Sequence, residues 1–333
     1  AGLAADGVPW SGATAEGCVL LGNLLILGGE RPARVLADQL GVEPRVCAVL
    51  CEPQAHGMPR LRLYTQIAFR LSLVATTGRA VVAFHAATLT ALQWAAARVS
   101  SYTSGADDEC ALAGDLIRTL FNLERQLQSA PVVDVTEGGV EGGVAEVVKQ
   151  LLEAADNCEG AADLKRTSLQ LLMVLPKETA MATVAPCWRG LLELLLPILR
   201  AIEGGEGSDK DAVLPCVALQ QICEVDKPTA RAIKAHVFPE QLYDALEGRK
   251  FNDNAFDPNK RLPESEGLRL HLIKQMTSIN YTLKRVVADF LYAVVEEDPR
   301  EVVRLCGLGS SAGVLQEKGL LAQMQAAQIG GQL

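Results

Sequence analysis

Apolar positions along this chain recur at helical spacing, and polar or Gly/Pro breaks cut them into short segments. Leu268, Leu272, Met276 and Ile279 fall on one stripe, and Leu283, Val287, Phe290, Leu291 and Val294 on a second. Steps of i, i+4, i+7 place such side chains on one face of an α-helix. Asn280 reads as the N-cap of the second helix. Asp298 and Pro299 open a third, with proline where no helical N–H bond is lost. Gly307 stops it, and Gly319 stops the next. Helices this short do not stand alone in water. They must stack on neighbours, which is the logic of an α-solenoid.

The same alternation runs upstream. Units of roughly 40 residues, the length of armadillo and HEAT repeats, cover 16–53, 57–101, 107–129, 143–197, 210–249 and 265–307, with a short helix after them. The expected fold is all-α: an armadillo/HEAT-like α-solenoid, a right-handed superhelix of stacked repeats. Residues 1–15 carry no period and read as a flexible N-terminus. Residues 16–328 read as one repeat domain, with mobile loops near 130–143, 203–210 and 249–266, where Gly, acidic and polar residues gather.

Composition narrows the picture. The 333 residues are 49% hydrophobic but only 5% aromatic, so Leu and Ala supply many thin helix–helix contacts rather than one thick core. Strict β-branched alternation is scarce, which argues against a large sheet. A net charge of −9 argues against nucleic acid. Apolar runs such as 191–199 are too short for a bilayer, so no direct membrane insertion is expected. No basic-then-apolar leader is seen. The first residue is not Met, so the chain is expected to be a fragment. The cysteines (Cys18, Cys47, Cys51, Cys110, Cys158, Cys187, Cys216, Cys223, Cys306) are odd in number and irregular in spacing. Free thiols in a reducing cytoplasm are the natural reading.

Candidate catalytic motifs fail on context. Gly309–Gly313 fits G-x-S-x-G, but a helix rather than a strand precedes it, so Ser311 reads as a helix N-cap. Cys47, Cys51 and His56 lack a fourth ligand for a structural metal. Residues 138–143 are Gly-rich but lack the Lys and Ser/Thr of a phosphate cradle. No enzyme site, metal or cofactor is expected.

Polar residues inside apolar helices carry more information. Asn23 lies in CVLLGNLLIL; Asn122 lies in LIRTLFNLE, with Arg118 four residues earlier. A mid-helix Asn is costly unless it meets a partner. It binds a peptide docked in the groove, ties neighbouring repeats together, or does both. Arg70 faces the groove or snorkels to solvent. Lys227, Arg231 and Lys234 form a basic i, i+4, i+7 stripe, with Lys284 and Arg285 further on. This is a partner patch or a solvated face.

Several segments together resemble one family. KRVVADFLYAVVEEDPREVVRLCGLGSSAGVL resembles the closing repeats of the synembryn family, through Lys284, Arg285, Val286, Asp289, Phe290, Leu291, Gly307, Gly309, Ala312, Gly313 and Leu315. KPTARAIKAHVFP, SLQLLMVLP, LIRTLFNL and GCVLLGNLL resemble further family segments, in collinear order. The resemblance implies an armadillo-like superhelix that binds monomeric α subunits of heterotrimeric G proteins. It implies a guanine-nucleotide exchange factor and folding chaperone that takes the Gα C-terminal helix in its concave groove. The expected location is the cytoplasm, with recruitment to the cell cortex through Gα, and the expected state is a monomer. By the same resemblance Asn23 and Asn122 match groove positions and Arg118 a basic one. Gln66 stands where the family has Arg, and Gln170 and Val174 where it has Asn. Asn23, Gln66, Arg70, Arg118, Asn122 and Gln170 form the expected groove site. Both chain ends look short against the family pattern. The rival expectation is an armadillo-type peptide-binding scaffold without exchange activity.

Overall fold

The computed structural model describes residues 42–73, 78–101, 107–129, 140–154, 160–239 and 264–322. All regular structure among them is helical. The expected N-terminal segment 1–15, Cys18, Cys158 and most of the expected loop at 249–266 lie outside the described residues. The chain groups into two compact units, Ala1–Ala180 and Met181–Leu333.

In the first unit the helices are α1 (Val42–Cys51), α2 (Met58–Leu71), α3 (Gly78–Ser101), α4 (Asp107–Ser129), α5 (Val140–Glu153) and α6 (Ala161–Leu172). Consecutive helices pair as hairpins: α1 with α2, α3 with α4, α5 with α6. The hairpins stack in register. One row is α1, α3, α5 and the other is α2, α4, α6. Helix α4 is flanked by α2 and α6 and backed by α3, so Leu112, Leu116, Ile117, Leu120 and Leu123 are all fully buried. Its first turn holds Asp107, Asp108 and Glu109, which suits the positive end of the helix dipole. The α3–α4 hairpin is pinned at both ends. Arg98 Nη2 donates to Glu109 at 2.9 Å while its guanidinium covers the Trp94 ring at 4.9 Å. At the other end His85 Nε2 lies 2.7 Å from Glu124 Oε1, both side chains buried.

Helix α7 (Lys177–Val184) leads through a 3-10 turn (Ala185–Cys187) into α8 (Trp188–Glu203), α9 (Asp209–Val225), α10 (Lys227–Val237), α11 (Glu264–Gln275), α12 (Tyr281–Val294), α13 (Pro299–Cys306) and α14 (Leu308–Glu317). By length and composition residues 177–203 match a membrane span, which the shorter apolar runs did not suggest. In the fold the stretch is interrupted by the 3-10 turn. Within α8, Leu191, Leu192, Leu195 and Leu199 are buried while Arg189, Glu193 and Arg200 face out. That is the stripe of an ordinary amphipathic helix. Helix α9 is backed by α8, α10 and α12.

The caps read from the sequence are present. Asn280 Oδ1 accepts from Leu283 N at 3.1 Å, and Asp298 accepts from Arg300 N at 2.8 Å. Gly307 adopts φ +82°, which favours glycine. Some expectations change. Leu268, Leu272 and Met276 are buried, but Ile279 is fully exposed, because α11 ends at Gln275 and the stripe ends with it. Ser311 is not a cap: it lies inside α14 and its hydroxyl donates back to the Gly307 carbonyl at 2.7 Å. Residues 140–143 begin α5 and 264–266 begin α11, where loops were expected. The expected unit 143–197 holds α6, α7 and most of α5 and α8. The glycine-rich segment after α8 is a hydrogen-bonded turn: the N–H groups of Glu206 and Gly207 both donate to the Ala201 carbonyl at 3.0 Å.

Candidate functional site

The α2–α4–α6 row leaves one face open. Over residues 109–125, helix α4 is buried except for a stripe through Ala111, Asp115, Arg118, Phe121, Asn122 and Arg125. That is a 3.6-residue periodicity seen from outside, because neighbours cover the other sides. A cleft of about 470 Å³ marks this face, lined by Arg62 of α2, Asp107, Asp115 and Arg118 of α4, and Asp163 of α6. Gln66 follows Arg62 by one turn, Asn122 follows Arg118 by one, and Gln170 follows Asp163 by two. Helical geometry therefore carries Gln66, Asn122 and Gln170 along the same face.

Gln66, Arg118 and Gln170 are exposed; Arg70 and Asn122 are half-buried. Arg70 stacks its guanidinium 5.5 Å from the ring of its neighbour Phe69. On α4, Arg125 covers Phe121 at 5.9 Å in the same way. One half of the face therefore presents aromatic rings under cations, a surface suited to apolar and anionic groups. The other half is acidic. Arg118 is held by Asp115 at 2.9 Å and by Asp163 at 3.5 Å, and Arg62 by Asp108 at 2.7 Å. Two carboxylates therefore share the charge of Arg118, which the resemblance gave as a basic groove position. Asn23, the other asparagine expected in the groove, lies outside the described residues.

Asn122 performs a tie as well as facing outward. Its Nδ2 donates to Ser72 Oγ at 3.0 Å, and Gln126 Nε2 donates to the Ser72 carbonyl at 2.7 Å. Both join α4 to the end of α2. On the opposite flank Gln128 Nε2 donates to the Val174 carbonyl, just past the end of α6. The Gln126 and Gln128 amides satisfy carbonyls that a helix end leaves without partners. Sequence reasoning missed Ser72, Gln126, Gln128 and the acidic partners Asp115 and Asp163. Only Asp115, three residues before Arg118, left a readable signal; the other contacts join residues far apart in the chain.

The basic residues of the second unit lie on α10 and α12, which touch. Arg231 meets Glu296 at 2.7 Å and Lys234 meets Glu301 at 2.7 Å. Lys227 Nζ reaches the Cys223 carbonyl at 3.4 Å. Arg285 stands 3.8 Å from Asp289 and 3.9 Å from Glu317, and Lys284 lies against Gly313. Much of the stripe is thus spent on neighbouring helices. Glu296 and Glu297 have positive φ, 55° and 65°, a conformation that costs L-residues energy; the Arg231 contact grips the first of them. Burial pushes the Cys216, Cys223 and Cys306 thiols up to about 12, so they stay protonated. Among the described residues no group of three or more His, Cys, Asp or Glu side chains could hold a metal ion.

Residues 11–331 match the family described as guanine nucleotide exchange factor synembryn. A protein named Chaperone Ric-8A from Macaca fascicularis is 28% identical over 114 residues, 34% of this chain and 19% of that protein. Chaperone Ric-8A from Gallus gallus is 26% identical over 224 residues, 63% of this chain and 39% of that protein. The Xenopus tropicalis protein of the same name is 24% identical over 221 residues, 62% of this chain and 38% of that protein. The chain therefore matches under half the length of these curated relatives.

Proposed function

Since the chain belongs to the synembryn family of guanine nucleotide exchange factors, we propose that its α2–α4–α6 face takes up the C-terminal helix of a G-protein α subunit. The observation that supports this reading is the open face itself. Three stacked helices present Gln66, Arg70, Arg118, Asn122 and Gln170 along one side, between an acidic cleft and a cation–aromatic surface. A docked amphipathic helix would lay apolar side chains over Phe69 and Phe121 and meet the amides with its polar groups.

Exchange then follows from differential binding. A solenoid that binds Gα with its C-terminal helix withdrawn, and binds the GDP state less well, shifts the population toward the open state. GDP leaves the open state, and no covalent bond changes in the exchange factor. The same preference protects a Gα that has not yet closed on nucleotide, which is the chaperone role. On this reading the repeats continue as an armadillo-like right-handed superhelix, the protein works as a monomer in the cytoplasm, and Gα recruits it to the cell cortex.

Two measurements test the proposal. GDP release from loaded Gα should speed up when the chain is added. Unchanged release, with no complex formed by nucleotide-free Gα, would favour a peptide-binding scaffold instead. Asn122→Ala should weaken binding of a Gα C-terminal peptide by about 1–3 kcal/mol if a buried amide contact is lost. A fall in melting temperature with unchanged affinity would assign Asn122 to the α2–α4 tie alone.

A further inference from the structure

Ser72 caps α2 and is 1% exposed. Its hydroxyl donates to the Phe69 carbonyl at 2.7 Å. A hydroxyl has one proton and two lone pairs, so toward Asn122 the Ser72 oxygen offers only lone pairs. Asn122 must meet it with Nδ2, the 3.0 Å contact observed. The flipped amide would set Oδ1 against those lone pairs and lose the bond. One turn further, Gln126 Nε2 meets the Ser72 carbonyl at 2.7 Å, an acceptor that fixes that amide in the same sense. Both amides of α4 therefore turn their nitrogens into the α2–α4 seam. Among the described residues Asn122 Oδ1 has no partner.

We propose that Ser72 is a positioning residue for the α2–α4–α6 face: it locks Asn122 with its carbonyl oxygen toward the docked segment, so that this position selects a hydrogen-bond donor of the partner. This rests on the reading of the face given above. An unlocked Asn122 samples both amide orientations and other rotamers, and the affinity it confers falls by the fraction of time spent in the wrong ones.

The test is a double-mutant cycle on the full chain, read as the affinity for a Gα C-terminal peptide. Ser72→Ala should weaken binding about 3–10-fold, the scale of one neutral hydrogen bond, and should add nothing in the Asn122→Ala background. Equal losses in both backgrounds, or no loss in the native background, would overturn the proposal. If Asn122→Ala itself has no effect, the reading of the face fails first, and the proposal with it. Ser72→Cys keeps the volume with a poor acceptor and serves the same cycle if Ser72→Ala does not fold.

Discussion

In the first unit the seams between helices combine neutral bonds, in which amides of α4 meet the Ser72 hydroxyl and the Ser72 and Val174 carbonyls, with the ion pairs Arg62–Asp108, Arg98–Glu109 and Arg118–Asp163, over a buried His85–Glu124 pair. In the second unit carboxylates do that work at the surface. Glu203 holds His271 and Lys274 of α11, Glu296 holds Arg231, and Glu301 holds Lys234 and Arg304. The contrast concerns where water is. Neutral hydrogen bonds are short-range and commit no charge, whereas exposed ion pairs are screened and weak singly. At the Ser72 end of the open face the seam commits no charge, while toward the cleft Arg62 and Arg118 are already paired with Asp108, Asp115 and Asp163.

The largest expected effect breaks the contrast at its buried point. His85→Ala leaves the Glu124 carboxyl buried without its partner. Removing one member of a buried pair costs on the order of 3–5 kcal/mol, read by denaturant unfolding. Arg231→Ala, on an exposed pair, should leave the melting temperature unchanged. Comparable losses for the two variants would mean that burial does not separate the units as argued.

The next effect concerns the turn after α8. A Cβ on Gly207 would sit 2.7 Å from the Ile202 nitrogen, whereas on Gly204 its nearest neighbour would be a carbonyl oxygen at 3.6 Å. Gly207→Ala should destabilise by about 1–3 kcal/mol, the scale of overpacking, while Gly204→Ala stays within about 0.5 kcal/mol. Equal, small effects at both positions would restore the mobile loop that composition suggested.

That turn shows what the sequence could and could not carry. Helices, caps and stops were legible, because 3.6-residue spacing and capping chemistry are local. Asn280, Asp298 and Gly307 did what their types and positions implied. Glycine runs were ambiguous, since the same composition serves a flexible loop and a tight turn; only the Ala201 carbonyl, accepting two N–H groups, decides between them. At the candidate site Asn122 was legible as an anomaly, a polar side chain in an apolar helix. Its partner Ser72 was not, because nothing local marks a serine that closes one helix as the acceptor for the next. Ile279 failed for a related reason: periodicity predicts a face only while the helix lasts.

The smallest effect is one of pH, and its sign follows from the carboxylates. Hydrogen bonds from Arg304, joined by one from Lys234 and opposed by partial burial, hold the Glu301 carboxyl down to about 2, against about 4.3 for an unfolded glutamate. A carboxyl lowered in the folded state adds stability above its unfolded value, and that contribution disappears as pH falls through the folded one. Glu203 shifts in the same direction. Burial opposes the shift, but the bonds from Lys274 and His271 outweigh it. Whole-protein acid unfolding therefore mixes several groups, and only a difference between variants isolates one. The native protein should be more stable than Glu301→Gln at pH 6, and the gap should close between about pH 4.3 and 2. A gap that stays constant over that window would mean that Glu301 contributes through packing rather than charge, and that the surface pairs of the second unit are as neutral in effect as the amides of the first.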